Sequence, residues 1–90
     1  MQSKIDYMLE FIKDYIDDKK TRSAFKSNFS YQYSQCLVKM RSEDKSFTEA
    51  MGYYILDTGI NVGGHLSEGA FKALIRLRYN ELLDTRHVES

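Results

Sequence analysis

Four carboxylates, Asp6, Glu10, Asp14 and Asp17, recur near the start of the chain at spacings of four, four and three. On a helix that advances about 100° per residue they fall within roughly an 80° arc, opposite the apolar positions Ile5, Met8, Leu9, Ile12 and Ile16. A row of this kind offers negative charge to a cationic partner, and it raises the rate of association more than the affinity. Lys4 and Lys13 are expected on the flanks of the row, which leaves a coherent negative edge. The plainer reading of the same residues is a solvated face whose carboxylates pair with Lys13 and Lys20.

Other groups capable of chemistry are sparse. Cys36 is alone, and its neighbours Leu37 and Met40 put it on an apolar helical face, where it is expected as a buried small hydrophobe. His65 lies in a glycine-rich segment and His87 in the tail, and neither has a second ligand at zinc spacing. No metal, no cofactor and no catalytic residue is therefore expected. Val62-Gly63-Gly64-His65 leads into a helix but lacks the lysine and serine of a phosphate-binding loop, so it reads as an interhelical connection. Lys72, Arg76 and Arg78 would suit a helix that reads DNA, although the loop before them, about eight residues, is longer than a helix-turn-helix uses. Seven tyrosines exceed what a small core can bury with every hydroxyl satisfied. Some belong at the surface, where tyrosine is favoured in protein interfaces, unless one of each pair Tyr31/Tyr33 and Tyr53/Tyr54 simply packs while the other is wetted.

The elements that must position these groups follow from periodicity and from where the helix breakers lie. Proline is absent and all five glycines fall between positions 52 and 69, so the long stretches on either side are free to be helical. Helices are expected at 4–19, 22–41, 47–58 and 68–84. Ser3, Thr21 and Ser67 stand at capping positions, and Ser46 with Glu49 forms a capping box for the third helix. Phe25, Phe29, Tyr33, Cys36, Leu37 and Met40 make the inner face of the second helix, Phe47, Met51, Tyr54 and Ile55 that of the third, and Phe71, Leu74, Ile75, Leu82 and Leu83 that of the fourth. Leu66 is placed to staple against Phe71. Gly59 is expected to end the third helix in a positive-φ conformation, with a loop over 59–66. The run 53–56 would also suit a short strand, though no second strand is available to pair with it. Short connections between amphipathic helices give an all-α fold, a compact antiparallel four-helix bundle in a single domain over 1–90.

Composition narrows the function classes. Thirteen basic and thirteen acidic residues cancel, which weighs against a dedicated nucleic-acid-binding module. No apolar run approaches the roughly 18 residues that span a bilayer, and the amino terminus lacks a signal peptide's apolar segment, so a cytoplasmic location is expected.

The opening Met8-Leu9-Glu10-Phe11-Ile12-Lys13-Asp14-Tyr15-Ile16, the polar break before Phe25 in a second long helix, and the closing pattern of a loop, an acidic cap region and the run from Leu74 to Leu83 resemble the small helical immunity proteins of colicin D and of related contact-dependent growth inhibition toxins. The resemblance covers roughly residues 5 to 84 as an arrangement of helices. It implies a protein that binds the toxic nuclease domain of its partner, commonly a tRNA-cleaving one, and offers carboxylates where RNA phosphates would lie. It further implies contacts from the third helix and the loop after it, which places Tyr53, Asp57 and Glu68 in play beside Asp6, Glu10, Asp14 and Asp17.

The chain is thus expected to be a non-enzymatic inhibitor of a basic toxin nuclease, with no direct contact to nucleic acid or membrane. Two alternatives stay open on the sequence: a small phage- or plasmid-type DNA-binding regulator using helix 68–84, and a self-associating adaptor bundle with tyrosines at its seam. Its oligomeric state is left open too.

Overall fold

A helix begins where a side-chain oxygen can take up an amide left without a backbone partner. Four residues do so here: Ser3 Oγ accepts from Asp6 N–H (3.0 Å), Thr21 Oγ1 from Ala24 (3.1 Å), Asp44 Oδ1 from Phe47 (3.1 Å) and Ser67 Oγ from Ala70 (3.3 Å). The computed structural model, which describes residues 3–86, contains the helices that these caps start. They are α1 (Lys4–Ile16), α2 (Arg22–Glu43), a third rod α3 made of three continuous pieces (Lys45–Met51, Gly52–Ile60 and Asn61–Gly63), and α4 (Glu68–Asp84). Among the described residues there is no strand, and 53–56 is helical.

Each helix packs against two others: α1 and α3 both lie against α2 and α4, and so stand diagonally across the bundle. The rods alternate in direction. Glu43 at the end of α2 meets the first amides of α1, Arg22 at its start meets the last carbonyls of α3, and Lys72 near the start of α4 pairs with Asp18 just beyond α1. The protein is an all-α antiparallel bundle, 35 × 27 × 21 Å in extent.

The core is an aromatic seam filled in by aliphatic residues. Tyr15 stacks on Phe25 (centroids 4.7 Å apart), Phe25 meets Phe29 at 5.8 Å, and Phe29 stacks on Tyr33 at 5.7 Å. Met8, Ile12, Met40, Met51, Ile55, Phe71, Ile75 and Leu82 close around them, all fully buried. Cys36 is buried among them, whereas Tyr31 and Tyr53 are exposed while Tyr33 and Tyr54 pack. One member of each tyrosine pair is therefore inside and one outside.

Three boundaries differ from expectation, each for a local reason. First, α1 ends at Ile16 and not near 19, because Asp18 turns to φ 66° and lets Lys19 N–H donate to Asp14 O (2.7 Å) and Asp18 N–H to Tyr15 O (3.1 Å). This is the crossed pair of bonds that closes a helix, with aspartate in the left-handed position that glycine usually takes. Second, α2 continues to Glu43 and Asp44, not Ser46, caps the next helix. Third, α3 does not stop at Gly59. Residues Gly52–Ile60 wind as a π-helix, in which the Asn61 amide reaches back five residues to Leu56 O and Thr58 Oγ1 donates to Tyr53 O (3.0 Å). No glycine among the described residues has positive φ. Gly59 is needed for closeness: a Cβ there would sit 2.9 Å from Tyr54 O and 3.2 Å from Ile75 Cδ1 of α4. Gly63, one turn on, lies equally tight against Leu74 and Phe71.

Glu43 gives a pH prediction. Its carboxylate accepts from Lys4 N–H (3.0 Å) and Ile5 N–H (3.1 Å), at the positive end of the α1 dipole. Those two backbone bonds hold its pKa below the usual carboxylate range. A depressed folded pKa means that the stabilisation is complete above the unfolded glutamate's pKa and is lost as pH falls through the folded one. Glu43→Gln should lower the melting temperature at neutral pH and flatten its decline on acidification; an unaltered acid limb in circular dichroism melts would show that this contact contributes nothing.

Candidate protein-binding surfaces

The α1 carboxylates stand opposite the face that carries Ile5, Met8, Ile12 and Ile16 into the core. Asp6, Glu10 and Asp17 are exposed and Asp14 is half-buried. Over the twelve residues from Asp6 to Asp17 the row is roughly 16 Å long, about three helical turns. It is not free of cations. Lys13 Nζ donates to Asp17 Oδ2 at 2.9 Å, and this bond holds the Asp17 carboxyl below its ordinary range while raising the Lys13 ammonium. Lys13 thus belongs to the row and does not flank it, and it neutralises the row at Asp17.

The second set is divided. Tyr53 is 55% exposed, its ring edge-on to Tyr54 (5.2 Å, 76°), and Asp57 is exposed one turn further along α3. Glu68 stands at the first turn of α4, where its Oε2 accepts from the buried Tyr15 hydroxyl (2.9 Å) and lies 4.0 Å from Lys72 Nζ. Burial, followed by the Glu68 bond, pushes the Tyr15 phenol well above its ordinary pKa. Because α1 and α3 are diagonal, Tyr53 and Asp57 face away from the α1 row. Glu68 belongs with the α1 end, through Tyr15 and through the Lys72 that Asp18 also holds.

Lys72 and Arg76, one turn apart, share the side of α4 near the end of α1, and Arg78 lies away from them. Lys72 is engaged by Asp18 and Glu68, Arg78 donates to Glu81 Oε1 (2.7 Å) and to Thr58 O (3.2 Å), and Arg76 is exposed near Asp17. Each has an acidic neighbour, so the three do not form the uninterrupted basic face that would favour a DNA-reading helix.

Residues that the periodicity did not single out hold the ends of the bundle. Arg22 donates to Leu66 O (2.7 Å), Gly64 O (3.1 Å) and Gly63 O (3.3 Å), and its guanidinium lies 4.3 Å above the Phe71 ring. It answers the carbonyl end of α3 as Glu43 answers the amide end of α1. Lys20 is drawn over the Phe11 ring at 3.2 Å, and burial lowers its pKa. A cleft of about 460 Å³ at this end is lined by Asp18, Lys19, Lys20, Thr21, Arg22, Glu68 and Lys72, but Lys20, Arg22 and Lys72 already have internal partners.

Cys36 is buried while His65 is exposed, and His87 lies outside the described residues. Among the described residues no three His, Cys, Asp or Glu side chains gather as a metal site would need, and no helix is long and apolar enough to cross a membrane. Comparison with protein-family models, with curated proteins and with solved structures finds no match to this chain.

Proposed function

We propose that this protein is an immunity-type inhibitor: a cytoplasmic, non-catalytic bundle that neutralises a toxin nuclease by covering its basic active site with carboxylates. The observation that carries the reading is the α1 row, in which Asp6, Glu10 and Asp14 stand outward on a rigid helix fixed at both ends. A nuclease cleft must be cationic to hold RNA phosphates, and carboxylates spaced by one helical turn compete for the same side chains. Preformed geometry limits the entropy lost on binding. Tyr53 and Asp57 make a second, separate surface, so one compact partner engages either the α1 row with Glu68 or the α3 pair.

The test is recovery of the tagged protein from its native host at moderate salt, with mass spectrometry of what stays bound. One basic nuclease domain at equal stoichiometry supports the reading; DNA, or nothing but this chain, removes it. With that domain in hand, the variant carrying Asp6→Asn, Glu10→Gln, Asp14→Asn and Asp17→Asn should associate roughly 10-fold more slowly at low ionic strength, the difference shrinking as salt is raised. Unchanged stopped-flow rates would exclude the α1 row, and the same assay on Tyr53→Ala with Asp57→Asn would then examine α3.

A further inference from the structure

The balance of charge in this chain is global and not local. From Lys19 to Ser42 there are six basic residues and no acidic one, so all thirteen carboxylates lie outside this segment. Lys20 and Arg22 are engaged inside the fold, over the Phe11 ring and on the end of α3. Lys26, half-buried, and Lys39 and Arg41, both exposed, remain on α2. Arg41 lies 3.6 Å from Glu49 in a pair that is half open to water, the kind that contributes little. At about 100° per residue, Lys26 and Lys39 stand roughly 110° to either side of the line through Ser27, Tyr31, Ser34 and Val38, and Arg41 stands about 50° from it. The strip between the cations is exposed and uncharged, mostly of hydrogen-bonding side chains, with Tyr31 61% exposed at its middle.

We propose that this face of α2 binds single-stranded nucleic acid, its phosphates on Lys26, Lys39 and Arg41 and one base stacked on the Tyr31 ring. A rise of roughly 20 Å along the helix separates Lys26 from Lys39. Cations so far apart do not converge on one small anion, and they suit a linear chain of them. The hydroxyls and amides between them, at Ser27, Ser30, Ser34 and Gln35, are of the types that hold phosphate and sugar oxygens. Tyr31 offers a planar face in their midst, and only an unpaired base has a face left to lay on it. Val38 is the one aliphatic side chain on the line, too little to anchor the face in lipid. An acidic protein would meet the same cations without needing an aromatic plane, and the Tyr31 variants below separate the two. The carboxylates on the rest of the bundle repel the same strand and confine it to α2. With three phosphate contacts, affinity should fall with salt at a slope of about −2 on logarithmic axes. Binding this salt-sensitive is not retained in the moderate-salt recovery that tests the inhibitor reading, so the two proposals stand and fail apart.

Fluorescence anisotropy on the full chain tests this, with labelled oligo-dT, oligo-U and a DNA duplex, each of about 12 nucleotides, at about 20 mM salt. Saturable binding to either single strand supports the proposal, and the tighter of the two identifies the strand as DNA or RNA. An approximately fivefold rise in salt should weaken it roughly 25-fold. Tyr31→Ala should weaken it about 10-fold at every salt concentration, while Tyr31→Phe keeps the parent value. Lys26→Gln combined with Lys39→Gln should cut the salt slope to about −0.7. Circular dichroism spectra should be unchanged throughout, because none of the three positions belongs to the core. No binding to either strand at low salt, a duplex or polyglutamate bound as tightly, or an affinity indifferent to Tyr31→Ala would each overturn the proposal.

Discussion

Arg22→Ala should be among the most damaging single substitutions outside the core, lowering stability by about 3 kcal/mol and the melting temperature by roughly 12–24 °C. At the carbonyl end of α3 and in the loop after it one guanidinium serves three carbonyls, Gly63, Gly64 and Leu66, although Gly63 O also accepts from the Leu66 amide (3.0 Å). It also lies over the Phe71 ring, a contact worth on the order of 1 kcal/mol. Water can replace part of the bonding at Gly64, which is exposed, so the three bonds do not simply add. Arg22→Lys should recover less than half of the loss, because an ammonium cannot place a planar fork on separate carbonyls. Urea titrations of the three proteins measure this directly. A midpoint for Arg22→Ala within experimental error of the parent would mean that water caps α3 as well as Arg22 does.

Arg22 and Glu43 together make α2 the tie of the bundle. One end of the helix supplies a cation to carbonyls and the other an anion to amides, each on a neighbouring helix and each with the sign that the local dipole favours. The consequence reaches function. Glu43 fixes the start of α1, and the closing turn at Asp18 fixes its end, so the α1 carboxylates are held in one geometry before any partner arrives.

How legible this was in the sequence depended on whether the cause was local. The four-helix layout follows from hydrophobic spacing, and the caps at Ser3, Thr21 and Ser67 follow from a side chain acting three residues ahead, so both were readable. Asp44 and Ser46 are equally good capping residues, and only the path of α2 to Glu43 selects the first. The ties made by Arg22 and Glu43 cross about forty positions of chain and left no periodic signal. The outward placement of Asp6, Glu10 and Asp17 was legible because it is the complement of the buried face. The separation of Tyr53 and Asp57 from that row was not, as it depends on α1 and α3 being diagonal. Glycine was the residue most easily misread: at a helix end it signals a stop, and at position 59 it signals contact.

Gly59→Val should destabilise the protein by about 3 kcal/mol, even though valine is a better helix former than glycine by a fraction of about 1 kcal/mol. The first atom added would lie 2.9 Å from Tyr54 O, a backbone atom of the π-helix itself, and 3.2 Å from Ile75 Cδ1 across the contact with α4. A side-chain tip can swing aside, whereas the carbonyl cannot move without unwinding Gly52–Ile60, and that segment is already held by the Thr58 hydroxyl and by Arg78 on Thr58 O. The strain therefore falls on the π-helix itself, at the Tyr54 carbonyl, more than on the contact with Ile75. Gly69 is the internal control, since a Cβ there meets nothing within 4 Å, and Gly69→Ala in the first turn of α4 should stabilise by about 0.5 kcal/mol. Opposite signs for the two glycines in denaturant titrations would locate the requirement at the π-helix contact. Equal and small effects would mean that the Gly52–Ile60 segment relaxes to ordinary α winding when a side chain is introduced, and the close approach to Ile75 would then be a convenience of packing and not a condition of the fold.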